Sequence, residues 1–143
     1  MKALVKNPKA MKKVKEEIRN LIGNKGVVNE DDIQNMSYLK AVIKETFRLY
    51  PPDPLLILRE SMKKSRFEGY EIQPGTLVHV KAWAIARDIE IWKNPIKFIL
   101  ERFLNSDIDF KREDYELIPF GAGRDYTRNC SHRTCIIKSS LSI

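Results

Sequence analysis

The sequence predicts an α+β fold in which helices come first and short strands follow. Three observations lead there. Apolar residues recur at helical spacing in two stretches before Pro51. Between Leu55 and Val80 the apolar runs shorten to strand length, and Pro74-Gly75 punctuates them. From Asp88 to Phe120 the periodicity fades while aromatic residues keep recurring.

Asn7-Pro8 marks the start of the first long helix. Asparagine suits the N-cap, and proline suits the first helical position, where its missing N–H would be unpaired anyway. Met11, Val14, Ile18 and Leu21 then make one apolar face, and Lys12, Lys13, Lys15, Glu16, Glu17 and Arg19 fill the other. Gly23 ends the helix. Asn29-Glu30-Asp31-Asp32 opens a short helical turn that closes near Asn35. Ser37 is the expected cap of the next helix, which runs to about Tyr50 with Leu39, Val42, Ile43, Thr46 and Tyr50 inward. Pro51-Pro52 ends it, because proline disfavours helix in the residue before it.

Leu55–Leu58, Arg66–Tyr70 and Thr76–Val80 are the predicted strands, with Pro74-Gly75 as the turn between the last two. Ala82–Arg87 is a predicted short helix. From Asp88 to Phe120 the chain reads as irregular, anchored by Trp92, Pro95, Phe98, Phe103 and Phe110. Irregular stretches of that length are uncommon unless they are functional or wrapped on something. Gly121–Ile143 has little periodicity.

With 43% hydrophobic and 31% charged residues, the composition is that of a water-soluble globular chain, and 6 glycines and 7 prolines exclude a collagen-like or low-complexity one. Only 2 cysteines occur, too few for a disulfide framework. The net charge of +7 suits an acidic partner protein, anionic lipid or simply a solvated surface, since the lysines are spread along the chain. Arg124, Arg128, Arg133 and Lys138 make the tail basic, but no nucleic-acid fold surrounds them, so no nucleic-acid partner is expected. Leu55–Leu58, the longest aliphatic run, is far too short to cross a bilayer, so no transmembrane anchor is expected in this chain.

Glu45-Thr46-Phe47-Arg48 puts a carboxylate and a guanidinium on one helix face. Such pairs are common and alone say little. This one is followed by Pro51-Pro52-Asp53-Pro54-Leu55-Leu56-Ile57-Leu58-Arg59-Glu60. Then come Trp92-x-x-Pro95-x-x-Phe98-x-x-Glu101-Arg102-Phe103 and Pro119-Phe120-Gly121-Ala122-Gly123-Arg124. In this order and spacing, the four motifs resemble the C-terminal portion of the cytochrome P450 family. Lys44–Pro52 and Ala82–Asp88 are worded most like its plant microsomal members. The resemblance covers residues 1–124, and residues 125–143 read as a divergent, poorly ordered tail.

The resemblance implies an α+β piece of a mainly helical fold: the J helix at Asn7–Ile22, the K helix at Ser37–Tyr50, a small β-sheet, an irregular meander and a partial haem loop. It implies a buried ion network of Glu45, Arg48 and Arg102, in which two arginines satisfy one carboxylate through charge-assisted hydrogen bonds. Arg59 would pair with a haem propionate, and Phe120, Gly121, Gly123 and Arg124 would belong to the haem loop. Pro54, Leu55 and Leu56 would touch substrate, or serve as ordinary core. The implied activity is that of a haem-thiolate monooxygenase, an oxidoreductase of plant secondary metabolism. It would use O2 and electrons from NADPH-cytochrome P450 reductase to oxidise a hydrophobic small molecule. Relatives with an anchor would sit at the endoplasmic reticulum membrane. This chain, with no visible anchor, would be cytoplasmic or of open location.

The sequence departs from the family where the haem is held. The family loop reads Phe-Gly-x-Gly-x-Arg-x-Cys-x-Gly. Here Asp125 stands at the arginine position, Thr127 at the cysteine position and Asn129 at the last glycine position. The cysteine thiolate is the iron ligand, and its electron donation favours O–O cleavage. Threonine cannot replace it. Asp125 would repel a propionate that the family's arginine attracts. Cys130, three residues late, is the candidate displaced thiolate and iron ligand. The codons open to Asp125–Ile137 can be read one base over as Ile-Ile-Pro-Gly-Ile-Ala-Leu-Ile-Gly-Leu-Ala-Leu-Leu. That resembles the family's continuation, so a shifted frame or mis-assigned exon is expected. The family's oxygen-handling acid–alcohol pair has no counterpart, no catalytic residue is assigned, and the chain is expected to be inactive. Two other readings stay open. One is a non-enzymatic remnant or accessory interaction protein. The other is a small metal module on Cys130, His132 and Cys135, for which a closed zinc site would need a fourth ligand such as His79.

Overall fold

The computed structural model describes residues 2–23, 29–110 and 114–122. Its elements are α1 (Lys2–Val5), α2 (Pro8–Ile22), α3 (Glu30–Gln34), α4 (Ser37–Leu49), β1 (Arg59–Glu60), β2 (Ser65–Phe67), β3 (Tyr70–Ile72), β4 (Leu77–Val78), α5 (Ala82–Ile85) and α6 (Glu101–Leu104). The predicted order of helices, strands and a long irregular stretch therefore holds.

The helix ends differ from expectation in instructive ways. Asn7 makes no side-chain cap on α2. Its Nδ2 instead donates to the Ala3 carbonyl at 2.8 Å, closing the end of α1. Pro8 takes the first turn and Gly23, at φ 49°, terminates α2 with its N–H on the Arg19 carbonyl, as the sequence suggests. Ser37 is not the cap of α4 but its first residue, and Met36 precedes it. The capping oxygens come from α2. The N–H groups of Tyr38 and Leu39 donate to the two Glu17 carboxylate oxygens at 2.8 and 2.9 Å. Ser37 Oγ donates to the same carboxylate. A carboxylate at a helix N-terminus answers both the orphan donors and the positive end of the helix dipole. Replacing Glu17 by alanine is expected to lower the unfolding free energy by about 1–2 kcal/mol, the scale of a lost N-cap. Urea denaturation followed by far-UV circular dichroism checks this, and a midpoint equal to wild type contradicts the cap.

The strands shift as well. Leu55–Leu58 forms no strand. Pairing starts at Arg59, where Arg59 faces Val78 and Glu60 faces Leu77 in an antiparallel pair. The stretch expected as one strand, Arg66–Tyr70, is a hairpin whose Phe67 pairs with Tyr70. Glu68 at φ 47° and Gly69 at φ 85° make its turn. Two consecutive positive φ values are what a two-residue hairpin loop needs to follow the strand twist. Pro74-Gly75 turns the chain toward β4 as expected, with Thr76 N–H on the Gln73 carbonyl at 3.2 Å.

The core lies where α2 and α4 meet the irregular segment. Val14, Met36, Leu39, Ala41 and Val42 pack with Trp92, Leu100, Phe103, Phe110 and Leu117. Of the residues expected inward, Leu21 and Tyr50 are exposed, at 38% and 56%. They sit at helix ends, beyond the reach of this cluster. The irregular segment is thus wrapped on α4, with one turn of helix, α6, that aperiodic sequence did not reveal. Among the described residues, no helix is long and apolar enough to cross a membrane.

Candidate functional site

The central feature is a buried charge cluster on the face of α4 turned to the irregular segment. Glu45 and Arg48 are both fully buried, at 0% exposure. Their spacing puts them one helical turn apart, and the guanidinium meets the carboxylate as a fork. Arg48 Nε donates to Glu45 Oε2 at 2.7 Å, and Arg48 Nη2 donates to Oε1 at 2.8 Å. The rest of the Arg48 head is taken up by backbone. Nη1 donates to the carbonyls of Ala86 and Pro95, each at 2.7 Å, and Nη2 to that of Lys97 at 3.2 Å. A guanidinium has five N–H groups, and each here has an acceptor. Such complete satisfaction is what allows a cation to sit without water.

Glu45 Oε1 also accepts the Ile99 N–H at 2.9 Å. Two side chains of α4 thereby fix the Ala86–Ile99 segment: Arg48 grips its carbonyls and Glu45 its returning amide.

Arg102, on α6, joins by charge rather than by a hydrogen bond. Its Nε lies 3.4 Å from Glu45 Oε2 without hydrogen-bond geometry. Its Nη2 turns to the carbonyls of Lys93 and Asn94. Burial pulls the Arg102 guanidinium below its ordinary value, Glu45 pushes it back up, and Arg48 pulls it down again. Arginine stays protonated under such perturbations. The structure therefore brings Glu45, Arg48 and Arg102 together, but the carboxylate's hydrogen bonds go to Arg48 and the Ile99 amide.

A third arginine closes the end of α4. Arg87 donates through Nη2 to the Leu49 carbonyl and through Nη1 to Trp83 O. Its guanidinium stacks 4.2 Å from the Trp83 ring centroid. The end of α4 is thus held by a side chain that arrives from the segment its own Arg48 has anchored.

The start of the glycine-rich loop docks on the other side of α4. Phe47, Phe110 and Phe120 form an edge-to-face cluster, with centroids 5.1 Å apart for Phe47 and Phe120 and 5.5 Å for Phe47 and Phe110. Phe47 lies between Glu45 and Arg48 in sequence and had carried no role in the sequence reading. Gly121 adopts φ 88°, and a Cβ there would meet Arg59 Nη2 at 3.4 Å and Leu56 Cδ1 at 3.6 Å. Those are ordinary contact distances, so it is the positive φ, which L side chains rarely adopt, that calls for glycine here. Arg59, the first residue of β1, donates to the Ala122 carbonyl at 2.8 Å.

The other residues singled out by sequence divide. Leu56 is buried at 7%, while Pro54 and Leu55 are exposed. Leu56 sits at φ 55° beneath the Gly121 loop, so these three do not share one face. Gly123, Arg124 and Cys130 lie outside the described residues, as do Asp125, Thr127, Asn129, His132 and Cys135. His79 is exposed just past β4. Among the described residues, no group of three His, Cys, Asp or Glu side chains could hold a metal ion.

Comparisons with known proteins follow the same line. The family profile described as Cytochrome P450 matches residues 1–131. The 5-OH-xanthotoxin synthase of Pastinaca sativa is 57% identical over 130 residues, which cover 87% of this chain and 26% of that protein. The 2-methylbutanal oxime monooxygenase of Manihot esculenta is 45% identical over 140 residues, 97% of this chain and 27% of that protein. A zebra fish cytochrome P450 structure with progesterone superposes with a TM-score of 0.78 at 30% identity, over 92% of this chain and 29% of that one. The chain spans about a quarter of the length of the curated relatives it matches. A profile match across most of its residues, close plant relatives and a shared three-dimensional arrangement converge on one conclusion: the chain belongs to the cytochrome P450 family, whose cofactor is haem.

Proposed function

We propose that this chain is the structural support of a P450 haem site that does not itself form a haem-thiolate centre. The observation that carries this is a mismatch. The glycine-rich loop begins in good order, with Phe120 packed on α4 and Arg59 on the Ala122 carbonyl. Four residues after Gly123, the family's thiolate position holds Thr127. A hydroxyl is not a thiolate donor to iron, so the donor set present does not fit haem ligation, and Cys130 stands out of the family's register. Arg59 retains a cation suited to a propionate, but its Nη2 is engaged by the loop backbone.

In proteins of this family with the cysteine in place, the same support would serve O2- and NADPH-reductase-dependent oxidation of a hydrophobic small molecule at the endoplasmic reticulum membrane. The names 5-OH-xanthotoxin synthase and 2-methylbutanal oxime monooxygenase support a small organic substrate for such relatives. The basic balance of +7 supports docking of an acidic reductase. A second reading, a non-enzymatic interaction protein, is favoured by exposed apolar side chains near the β1–β4 pair: Leu55 at 47%, Ile57 at 62%, Leu58 at 46% and Leu77 at 62%.

One titration separates these from an active haem protein. The purified full chain is mixed with haem, reduced and exposed to carbon monoxide. The expected result is no thiolate-type Soret band, and oxidation of no substrate with reductase and NADPH. A stable thiolate-type band would overturn the proposal and point to Cys130 as the ligand.

A further inference from the structure

We infer that Trp92 is a positioning residue of the buried charge cluster, its ring face holding Arg48 and Arg102 in place by cation–π attraction. The need for it follows from the charge count. Glu45 carries one negative charge, while Arg48 and Arg102 each carry a positive one, so the cluster holds a surplus cation whose side chain is only 11% exposed. Arg48 has its five acceptors, but Arg102 has none for its buried Nε.

Trp92 lies where that surplus is. The Arg48 guanidinium is 5.2 Å from the centroid of its ring and the Arg102 guanidinium 5.6 Å, both within cation–π range. Tryptophan has the most electron-rich face of the aromatic side chains. The ring is held rigidly: it is 4% exposed, tilts against Phe103 at 5.7 Å, and its backbone N–H donates to the Asp88 carbonyl at 2.8 Å.

A second observation argues that the electronics matter and not just the volume. Trp92 Nε1 is buried with no hydrogen-bond partner among the described residues. A buried N–H without an acceptor is unfavourable. Phenylalanine or leucine would fill apolar space without that cost, so the indole is explained by what its face does for the two cations. The ring also belongs to the segment whose carbonyls Arg48 grips, so the attraction draws Ala86–Lys97 onto α4.

Fluorinated tryptophans separate this from simple packing, because each fluorine withdraws electron density from the ring face with little change in size. The chain has 2 tryptophans. The experiment therefore uses the full chain carrying Trp83→Phe, with mono-, di- or trifluorinated tryptophan incorporated at position 92, unfolded in urea. The expected result is a midpoint that falls stepwise with each fluorine. In an Arg102→Met background the slope against fluorine number should shrink to about half, because one of two cations is gone. Trp92→Tyr should retain more stability than Trp92→Leu. A midpoint that is flat or rises with fluorination overturns the inference, as does an unchanged slope without Arg102. Absence of any cooperative transition overturns it too, since the cluster would then not form in this chain.

Discussion

Replacing Glu45 by alanine is expected to lower the unfolding free energy by about 3–5 kcal/mol, the scale on which removing one partner of a buried ion pair acts. The reason is what stays behind. Arg48 would remain fully buried with two N–H groups emptied of their acceptor, and Arg102 would lose its only counter-charge in the cluster. The Ile99 amide would lose its acceptor as well. A domain at the low end of the usual range, stable by about 5 kcal/mol, would then be close to unfolding. Glu45→Gln keeps the shape and one acceptor oxygen, so it should fall between alanine and wild type. Urea denaturation of the three chains gives the order directly. An alanine variant within about 0.5 kcal/mol of wild type, the range of ordinary surface changes, would show that the pair is solvated and the cluster not closed.

Much of this was legible in the sequence. Glu45 and Arg48 lie one helical turn apart, and Pro8, Gly23 and Pro51 bound the two long helices through local backbone rules that act within a few residues. The spaced aromatics of the irregular segment proved to be core, as their recurrence without periodicity suggested: Trp92, Phe103 and Phe110 are all buried. What stayed hidden has a common physical cause. The partners of Arg48 at Ala86, Pro95 and Lys97 are backbone carbonyls, which every residue has and no side chain announces. Glu17 caps a helix that starts about twenty residues later, and looked like one more charge on a polar face. Arg59 was assigned to a cofactor carboxylate, and its contact to the Ala122 carbonyl had no sequence signature. The strand boundaries near Leu55 moved because Leu56 turns into the left-handed region to reach the Gly121 loop, which hydrophobicity alone does not encode.

The same asymmetry predicts that Arg48→Lys, although it keeps the charge, should cost roughly 3 kcal/mol through lost hydrogen bonds and emptied acceptors. The guanidinium serves five acceptor contacts from a rigid plane: two on Glu45 and one each on Ala86, Pro95 and Lys97. An ammonium has three donors on a flexible stem. It can meet the carboxylate at one point and one or two carbonyls at most, and it leaves Arg102 as the one guanidinium against the Trp92 ring. If charge alone held the cluster, lysine would serve nearly as well as arginine. A double-mutant cycle with Glu45→Gln decides between the two accounts. Shared fork geometry makes the combined loss smaller than the sum of the single losses, by about 0.5–3 kcal/mol, the range found for residues in one network. Simple additivity would mean that Arg48 holds the irregular segment through its carbonyl contacts alone, with Glu45 serving only to neutralise charge.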